Sequence, residues 1–431
     1  MYQNNLSYVQ LQAIEKQGAS AFYFLDMEKL KSNYQQLHQA FSNEYENCQI
    51  AYSFKTNYAP MICDLLKSLG CWAEVVSAME YDIATQVVGY DPQQIIVNGP
   101  LHEAEFIERL LLEGALINAD AWYILDEIAK ICGKYPKQQF QIGVRLSYNI
   151  KEGVFSRFGI NSTQQNLQRL SDWQTIVGNC EIIGFHSHFS NSSRSLNCFD
   201  SRVSGLLIAS ECYFEKKAPQ FINIGGGFFG DMPTSLANQY GKNLPNFIDY
   251  AKQICNNIKK RFVTKKLPKL LLEPGTALVA NAMVFVCKVY EVKQIEGKTI
   301  ALVNGSNHNV NHKWQGESLP IEILRQNPDQ ASNSDSACFD IVANTCIEKD
   351  VLCTDVSGSI RAGDYIVFQY MGGYSNVLKQ PFIHPCQAIY AIQNEQLVVV
   401  KRQETATDIL ASYTCKEIAT EASSPNEKTN N

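Results

Sequence analysis

An α/β protein made of a (β/α)8 barrel and a second, all-β domain is the fold this sequence predicts, on three observations. Eight short apolar runs alternate with helix-patterned segments between residues 48 and 274. After Pro274 the pattern changes to strands separated by Gly, Asn and Asp turns. At 431 residues the chain also exceeds the usual length of one domain.

The barrel strands are expected at residues 49–54, 71–76, 94–97, 115–118, 139–146, 181–186, 220–224 and 269–272. Between them, Ala59, Ile62, Leu65, Leu66 and Leu69 precede Gly70, and Phe106, Ile107, Leu110 and Leu111 precede Gly114. Both groups recur near the 3.6-residue helical period and stop at a glycine, as helices commonly do. The second domain is expected to contain strands at 282–292, 299–303, 339–342 and 365–370, then a pair at 388–392 and 397–401. Residues 7–25 should begin with a short helix and send one strand into that domain. The expected division is therefore a barrel over 26–280 and a β domain over 1–25 and 281–415. The polar stretch 416–431, with its Ser-Ser-Pro, is expected to be a disordered tail.

Hydrophobic residues make up 45% of the chain and aromatic ones 11%, enough for two well-packed cores. A net charge of -6, with no basic run longer than Lys-Lys-Arg, argues against nucleic acid as a partner and favours small molecules. Fourteen cysteines are scattered singly with no Cys-x-x-Cys or Cys/His zinc pattern. Several of them, including Cys132, Cys255 and Cys287, lie in apolar runs, where cysteine acts as a small hydrophobe. Reduced thiols and a cytoplasmic location are the simplest expectation, with no metal site. No basic segment followed by an apolar core opens the chain, and no apolar run is long enough to span a bilayer, so no membrane role is expected.

The residues that suggest chemistry fall at the C-terminal ends of the expected strands, where barrels of this kind place their active sites. Lys55 follows the first strand and His188 the sixth; Gly225, Gly226 and Gly227 follow the seventh, and Glu273 ends the eighth. Taken singly, each has an ordinary reading: a snorkelling lysine, a packed histidine, a turn and a loop cap. Together they suggest more. Burying an ammonium is costly unless it has a task, and Schiff-base formation is a task suited to lysine. Successive glycines expose backbone N–H groups that can cradle a phosphate. His186 and His188 alternate along one strand and so share a face. A carboxylate at Glu273 could hold a ring nitrogen protonated.

In order along the chain, Tyr-Ser-Phe-Lys55-Thr-Asn, Glu74-Val-Val-Ser-Ala-Met-Glu80, His186-Ser-His188, Ile-Gly225-Gly-Gly227-Phe, Glu273-Pro-Gly275, Asn-Thr-Cys346 and Gly-Gly-Tyr374 resemble the motif set of the fold-type III pyridoxal-phosphate decarboxylases. Diaminopimelate and ornithine decarboxylases belong to that group. The resemblance implies pyridoxal 5'-phosphate as cofactor and an amino acid as substrate. Lys55 would carry the cofactor as a Schiff base, and His188 would stack on its ring. Glu273 would pair with the pyridinium nitrogen. Gly225, Gly226, Gly227, Gly275 and Tyr374 would hold the cofactor at its phosphate end. Cys346, supplied by the partner subunit of a homodimer, would deliver a proton after carbon dioxide leaves.

The departures from that motif set fall on the substrate side. Thr276 stands where the family usually has an arginine, which removes a bidentate cation for phosphate or substrate. Ile347 replaces the acid that commonly follows the cysteine, and Ser190-Asn191 replaces Gly-Ser. The segment 305–312, Gly-Ser-Asn-His-Asn-Val-Asn-His, replaces a stretch containing arginine and tyrosine. His308, His312, Thr276 and Asp350 thereby become the candidate substrate readers. The resemblance with these changes implies decarboxylation of a non-standard or conjugated amino acid, of the kind used in siderophore or antibiotic biosynthesis. Two alternatives stay open at this point. An amino-acid racemase on the same fold would need a catalytic tyrosine early in the β domain. A non-catalytic regulatory relative would be expected to lose Lys55, His188, Glu273 and Cys346.

Overall fold

The computed structural model describes residues 6–150, 155–189, 193–215, 217–263, 266–310, 319–325, 338–393 and 395–414. His312, Ser190, Asn191 and the expected tail lie outside the described residues.

The chain enters through a helix, Tyr8–Glu15, whose N-terminus is closed by a Ser7–Gln10 capping box. Strand β1 (Ala21–Leu25) follows, and every one of its residues is buried. It is covered on both edges by the C-terminal half of the chain, antiparallel to residues 283–287 and parallel to residues 388–391. Asp26 then caps a helix at Met27–Glu44, accepting from the Lys29 N–H at 2.9 Å.

Eight parallel strands form the barrel: β2 (Cys48–Ser53), β3 (Trp72–Val75), β4 (Ile95–Val97), β5 (Leu116–Ala119), β6 (Phe140–Ser147), β8 (Cys180–His186), β9 (Phe221–Asn223) and β10 (Lys269–Leu272). A two-residue strand, β7 (Ile160–Asn161), adds to the outer edge of β6. The spatial order β5-β4-β3-β2-β10-β9-β8-β6 closes through a β5–β6 pairing. All eight strands expected from the sequence are present, displaced by at most a residue or two at their ends. Phe106, Ile107, Leu110 and Leu111 are all buried on the barrel-facing side of their helix, which stops at Gly114 with φ +81°. A side chain in that left-handed conformation would be strained, which is why the sequence changes to glycine there.

The second sheet comprises β1 with β11 (Met283–Ile295), β12 (Lys298–Val303), β13 (Ile321–Leu324), β14 (Cys338–Val342), β15 (Val351–Ser357), β16 (Tyr365–Phe368), β17 (Ala388–Gln393) and β18 (Gln396–Lys401). The long β11 serves two neighbourhoods. Its first half pairs with β1 and β16, and its second half pairs with β12 after a register shift between Val289 and Glu291. Strands β13 and β15 were not expected from the sequence. β15 is masked by Asp355, which sits mid-strand with φ +53° and donates its N–H to Asp340 at 2.9 Å. An irregular acidic residue of this kind breaks the alternation by which strands are read. Among the described residues, no helix is long and apolar enough to cross a membrane, and thirteen cysteines are unpaired.

Candidate active site

The C-terminal end of the barrel is closed by a belt of polar side chains, one from nearly every strand. At β2, Lys55 sits in a short 3-10 turn, Phe54–Thr56, just after the strand. Its Nζ lies 2.5 Å from Glu74 Oε2 on β3 and donates to Ser53 Oγ at 3.0 Å. Ser53 in turn donates to the same carboxylate. Asn98, directly after β4, links the two acids of the site: its amide lies 3.0 Å from Glu74 Oε1 and 2.9 Å from Glu273 Oε1. Asn118 on β5 donates to Asn98 Oδ1 at 2.9 Å, fixing which way that amide points. Arg145 on β6 pairs with Asp120 at 3.1 Å and reaches the His188 carbonyl at 3.1 Å. His186 ends β8 with Nε2 3.1 Å from Glu273 Oε2, and Asn223 ends β9 with its amide 2.6 Å from Glu273 Oε1.

Burial sets the electrostatics of this belt. Glu273 is 5% exposed, and burial alone would raise its pKa. His186, Lys55 and Asn98 outweigh that penalty and hold it below the ordinary carboxylate range, so Glu273 is an anion. For Lys55, burial pulls downward, but Glu74, Tyr374 and Glu273 reverse the sign and leave the ammonium favoured. His188 is driven well below its usual value by burial and by Arg202, Arg145 and Lys55, so its imidazole is neutral. A neutral ring is the form suited to lying against another aromatic ring.

A cavity of about 660 Å3 opens over the belt. It is lined by Lys55, His188, Gly226, Gly227, Glu273, Gly275, Thr276 and Tyr374, so most residues singled out from the sequence meet in one place. The glycine loop is tailored to close approach. A Cβ on Gly226 would fall 2.1 Å from the Glu273 carbonyl oxygen, and one on Gly225 would fall 2.7 Å from His188. The three glycines are not equivalent, however. The N–H of Gly225 donates to Asn223 at 2.9 Å and that of Gly226 to His188 Nδ1 at 3.1 Å. The N–H groups of Gly227 and Phe228 take no protein hydrogen bond among the described residues. Of the three glycines, Gly227 is thus the one on the cavity wall whose N–H is not spent on a described protein acceptor.

The residues fit pyridoxal 5'-phosphate on observations of this site alone. A lysine amine stands at the cavity floor, a buried carboxylate faces it, and the glycine loop, with the Gly227 N–H on the wall, lies beside a neutral histidine. Among the described residues, the buried Thr56 hydroxyl on the cavity wall has no hydrogen-bond partner, and a polar ligand atom would satisfy it.

Other expected residues lie elsewhere. Cys346 is exposed on the loop between β14 and β15 and does not line this cavity. His308 is exposed and touches the Phe382 ring at 5.7 Å, again away from the cavity. Asp350 is buried with both oxygens occupied: one accepts from the Asn307 N–H at 2.7 Å, the other from Thr345 at 2.6 Å. It shapes the Cys346 loop and does not line this cavity. The belt residues Asn98, Asn118, Arg145 and Asn223 were not found from the sequence. Their signal was present as a polar residue at the end of an apolar strand, as in Ile-Ile-Val97-Asn98 and Phe-Ile-Asn223. Arg157 and Arg194, also on the cavity wall, were missed because they lie on connecting loops.

Residues 29–280 match the family model described as the pyridoxal-dependent decarboxylase, pyridoxal binding domain, and this chain belongs to that family. It is a pyridoxal-phosphate-dependent carboxy-lyase. Over 400 residues it is 24% identical to a diaminopimelate decarboxylase of Methanothermobacter thermautotrophicus, covering 90% of each chain. It is 25% identical to the 2-[(L-alanin-3-ylcarbamoyl)methyl]-2-hydroxybutanedioate decarboxylase of Staphylococcus aureus, covering 87% of this chain and 94% of that one. The diaminopimelate decarboxylase structure from Methanocaldococcus jannaschii superposes with a TM-score of 0.83 at 20% identity, covering 94% of both chains, and shows the same fold.

Proposed function

We propose that this enzyme removes the carboxylate of an amino acid whose distal part is an extended polar group, a conjugated amino acid in place of free diaminopimelate or ornithine. We also infer that it works in the cytoplasm as a homodimer whose two sites each borrow Cys346 from the other subunit. The observation that carries the substrate reading is the make-up of the cavity. Its inner half carries Lys55, His188, Gly227 and Glu273, while position 276 offers a threonine hydroxyl, and the wall also presents Phe155, Ser156 and Arg157. Such a rim suits a long, polar, anion-bearing tail better than a short chain ending in an ammonium. The S. aureus relative, whose name describes a carbamoyl-linked conjugate, supports the same direction.

Pyridoxal phosphate, when bound, supplies the electron sink that makes loss of carbon dioxide from an amino acid feasible. The protein supplies the rest. Glu273, kept anionic by His186, Asn98 and Asn223, is the residue that would hold a proton on the ring nitrogen. His188, neutral and anchored by the Gly226 N–H, would cover the ring face. Lys55 must lose a proton from Nζ before it can act as a nucleophile, and Glu74 at 2.5 Å is the group placed to receive it. The exposed Cys346 thiol would deliver the final proton from the neighbouring subunit.

Carbon dioxide release and product mass, measured across free diamino acids and their amide-linked carboxylate conjugates, test the substrate reading. Leaving the distal charge of a free diamino acid unpaired costs about 3–5 kcal/mol, a factor of hundreds or more in specificity. The conjugates should therefore lead by at least about that factor. Turnover of meso-diaminopimelate or L-ornithine with kcat/KM near ~10⁴ M⁻¹s⁻¹ or above would refute it.

A further inference from the structure

An anionic substrate tail needs a cation that the floor of the site has not already engaged. Four cations line the cavity: Lys55, Arg145, Arg157 and Arg194. Lys55 is held by Glu74, Arg145 is buried against Asp120, and Arg194 bonds the Phe228 carbonyl at 3.3 Å. Arg157 is different. It is exposed, and among the described residues its guanidinium meets the ring of Phe158, 4.1 Å from the ring centre, and no carboxylate or carbonyl acceptor. A ring face orients the planar group while its N–H donors, which point outward in the guanidinium plane, stay available for a bidentate anion. The two carboxylates on the same wall, Glu74 and Glu273, are spent on Lys55 and His186.

The segment that carries Arg157 is tied to the barrel. The Gly159 N–H donates at 3.0 Å to Asp120, the acid that also pairs with Arg145, and the Phe158 N–H donates to Ser156 Oγ at 3.2 Å. Arg145 lies over the same Phe158 ring at 4.7 Å, and β7 then pairs with β6. In the closed strand order, β6 is reached from β2 through β3, β4 and β5 on one side and through β10, β9 and β8 on the other. The segment after β6 therefore faces Lys55 across the end of the barrel, and an amino acid whose reacting end is at Lys55 must be long to meet it. Beside it on the cavity wall, Phe155, 89% exposed, offers apolar surface for the linker of such a tail. We infer that Arg157 is a specificity-determining residue that binds a carboxylate at the far end of the substrate. The inference rests on the conjugate reading above and gives it a terminal group and a residue that reads it.

The test compares two conjugates that differ only in the terminal charge, Nβ-succinyl-L-2,3-diaminopropionate and its terminal carboxamide, on the full-length holoenzyme. Carbon dioxide release gives kcat and KM for each, and a probe that is not turned over is read by its Kd in calorimetry. Losing charge-assisted hydrogen bonds at an exposed arginine should cost about tenfold, the low end of their range because solvent screens the pair. Wild type should therefore prefer the acid to the amide by about that factor, chiefly in KM. Arg157→Gln should bring the acid down to the amide and leave the amide within about threefold of wild type. Arg157→Lys, which keeps the charge but not the planar fork, should fall between, and it carries the comparison alone should Arg157→Gln not fold. Wild type that treats acid and amide alike overturns the inference, even where both conjugates outrun free diamino acids and the conjugate reading stands. Equal loss of acid and amide in Arg157→Gln also overturns it, because the arginine would then support the loop or a subunit contact. Free diamino acids outrunning both conjugates would instead bring down the substrate reading itself.

Discussion

Replacing Lys55 by methionine should have two separable consequences, one on the cofactor and one on the folded apo protein. The first is qualitative: no cofactor adduct should remain after borohydride reduction, and turnover should vanish. The second can be worked from the belt. Glu74 has a side chain only 1% exposed, and its ion partner is the Lys55 ammonium. Breaking a buried ion pair from one side costs about 3–5 kcal/mol. Two features reduce that here. The Lys55 side chain is 35% exposed, so part of its charge is already screened by solvent. Glu74 also keeps two neutral donors, Ser53 and Asn98, each contributing about 1 kcal/mol. A net loss of about 2 kcal/mol is expected. With an unfolding entropy of about 2.1 cal/mol/K per residue over 431 residues, that is a fall of about 2 °C in Tm if the chain unfolds as one unit. Adding Glu74→Gln should recover most of it, because the stranded charge is then gone. Differential scanning fluorimetry on the apo proteins reads all three. The reasoning fails if Lys55→Met is as stable as wild type, or if Glu74→Gln makes the methionine variant worse. A borohydride-fixed cofactor in Lys55→Met would remove Lys55 from its assigned role.

Two further outcomes are expected. Glu80 is buried, and burial raises its carboxyl to about 7, with Glu74 adding to the shift and the Val76 N–H and Lys55 opposing it. A carboxyl whose folded pKa lies above its unfolded one favours the fold while protonated, so its contribution is present below about 4.5 and is lost as the pH rises to about 7. Glu80→Gln, which keeps an acceptor for the Val76 N–H, should match wild type near pH 4.5 and exceed it in stability by about 2–3 kcal/mol at pH 8, as read by urea denaturation; an unchanged difference between the two pH values would contradict it. Inactive Lys55→Ala mixed with inactive Cys346→Ala should regain about a quarter of the wild-type sites once subunits exchange, as a symmetric dimer with shared sites requires. Exchange verified by mass without any regained activity would place Cys346 outside the site.

Much of the molecule was legible before its structure. The eight barrel strands could be read because apolar periodicity is a local property, and a buried parallel strand has no polar face to confuse it. Lys55, the glycine loop and Glu273 could be read because each is an unusual residue at a strand end, where a barrel collects its chemistry. Strand β15 could not, since Asp355 breaks its pattern and only the pairing with β14 restores it.

What the sequence could not determine is set by closure of the barrel. Asn98 is an ordinary loop asparagine until closure brings the ends of β3 and β10 within reach of it; then one amide bridges Glu74 and Glu273, residues 24 and 175 positions away. The same closure spends the N–H groups of Gly225 and Gly226 inside the protein, whereas that of Gly227, on the cavity wall, takes no acceptor among the described residues. It also carries Arg194 to the glycine loop, 34 positions from Phe228. The physical reason is one of range. Periodicity, caps and turns act over a few residues and are written in the chain, whereas which donor meets which acceptor depends on strand order and register, quantities that exist only once the sheet has closed.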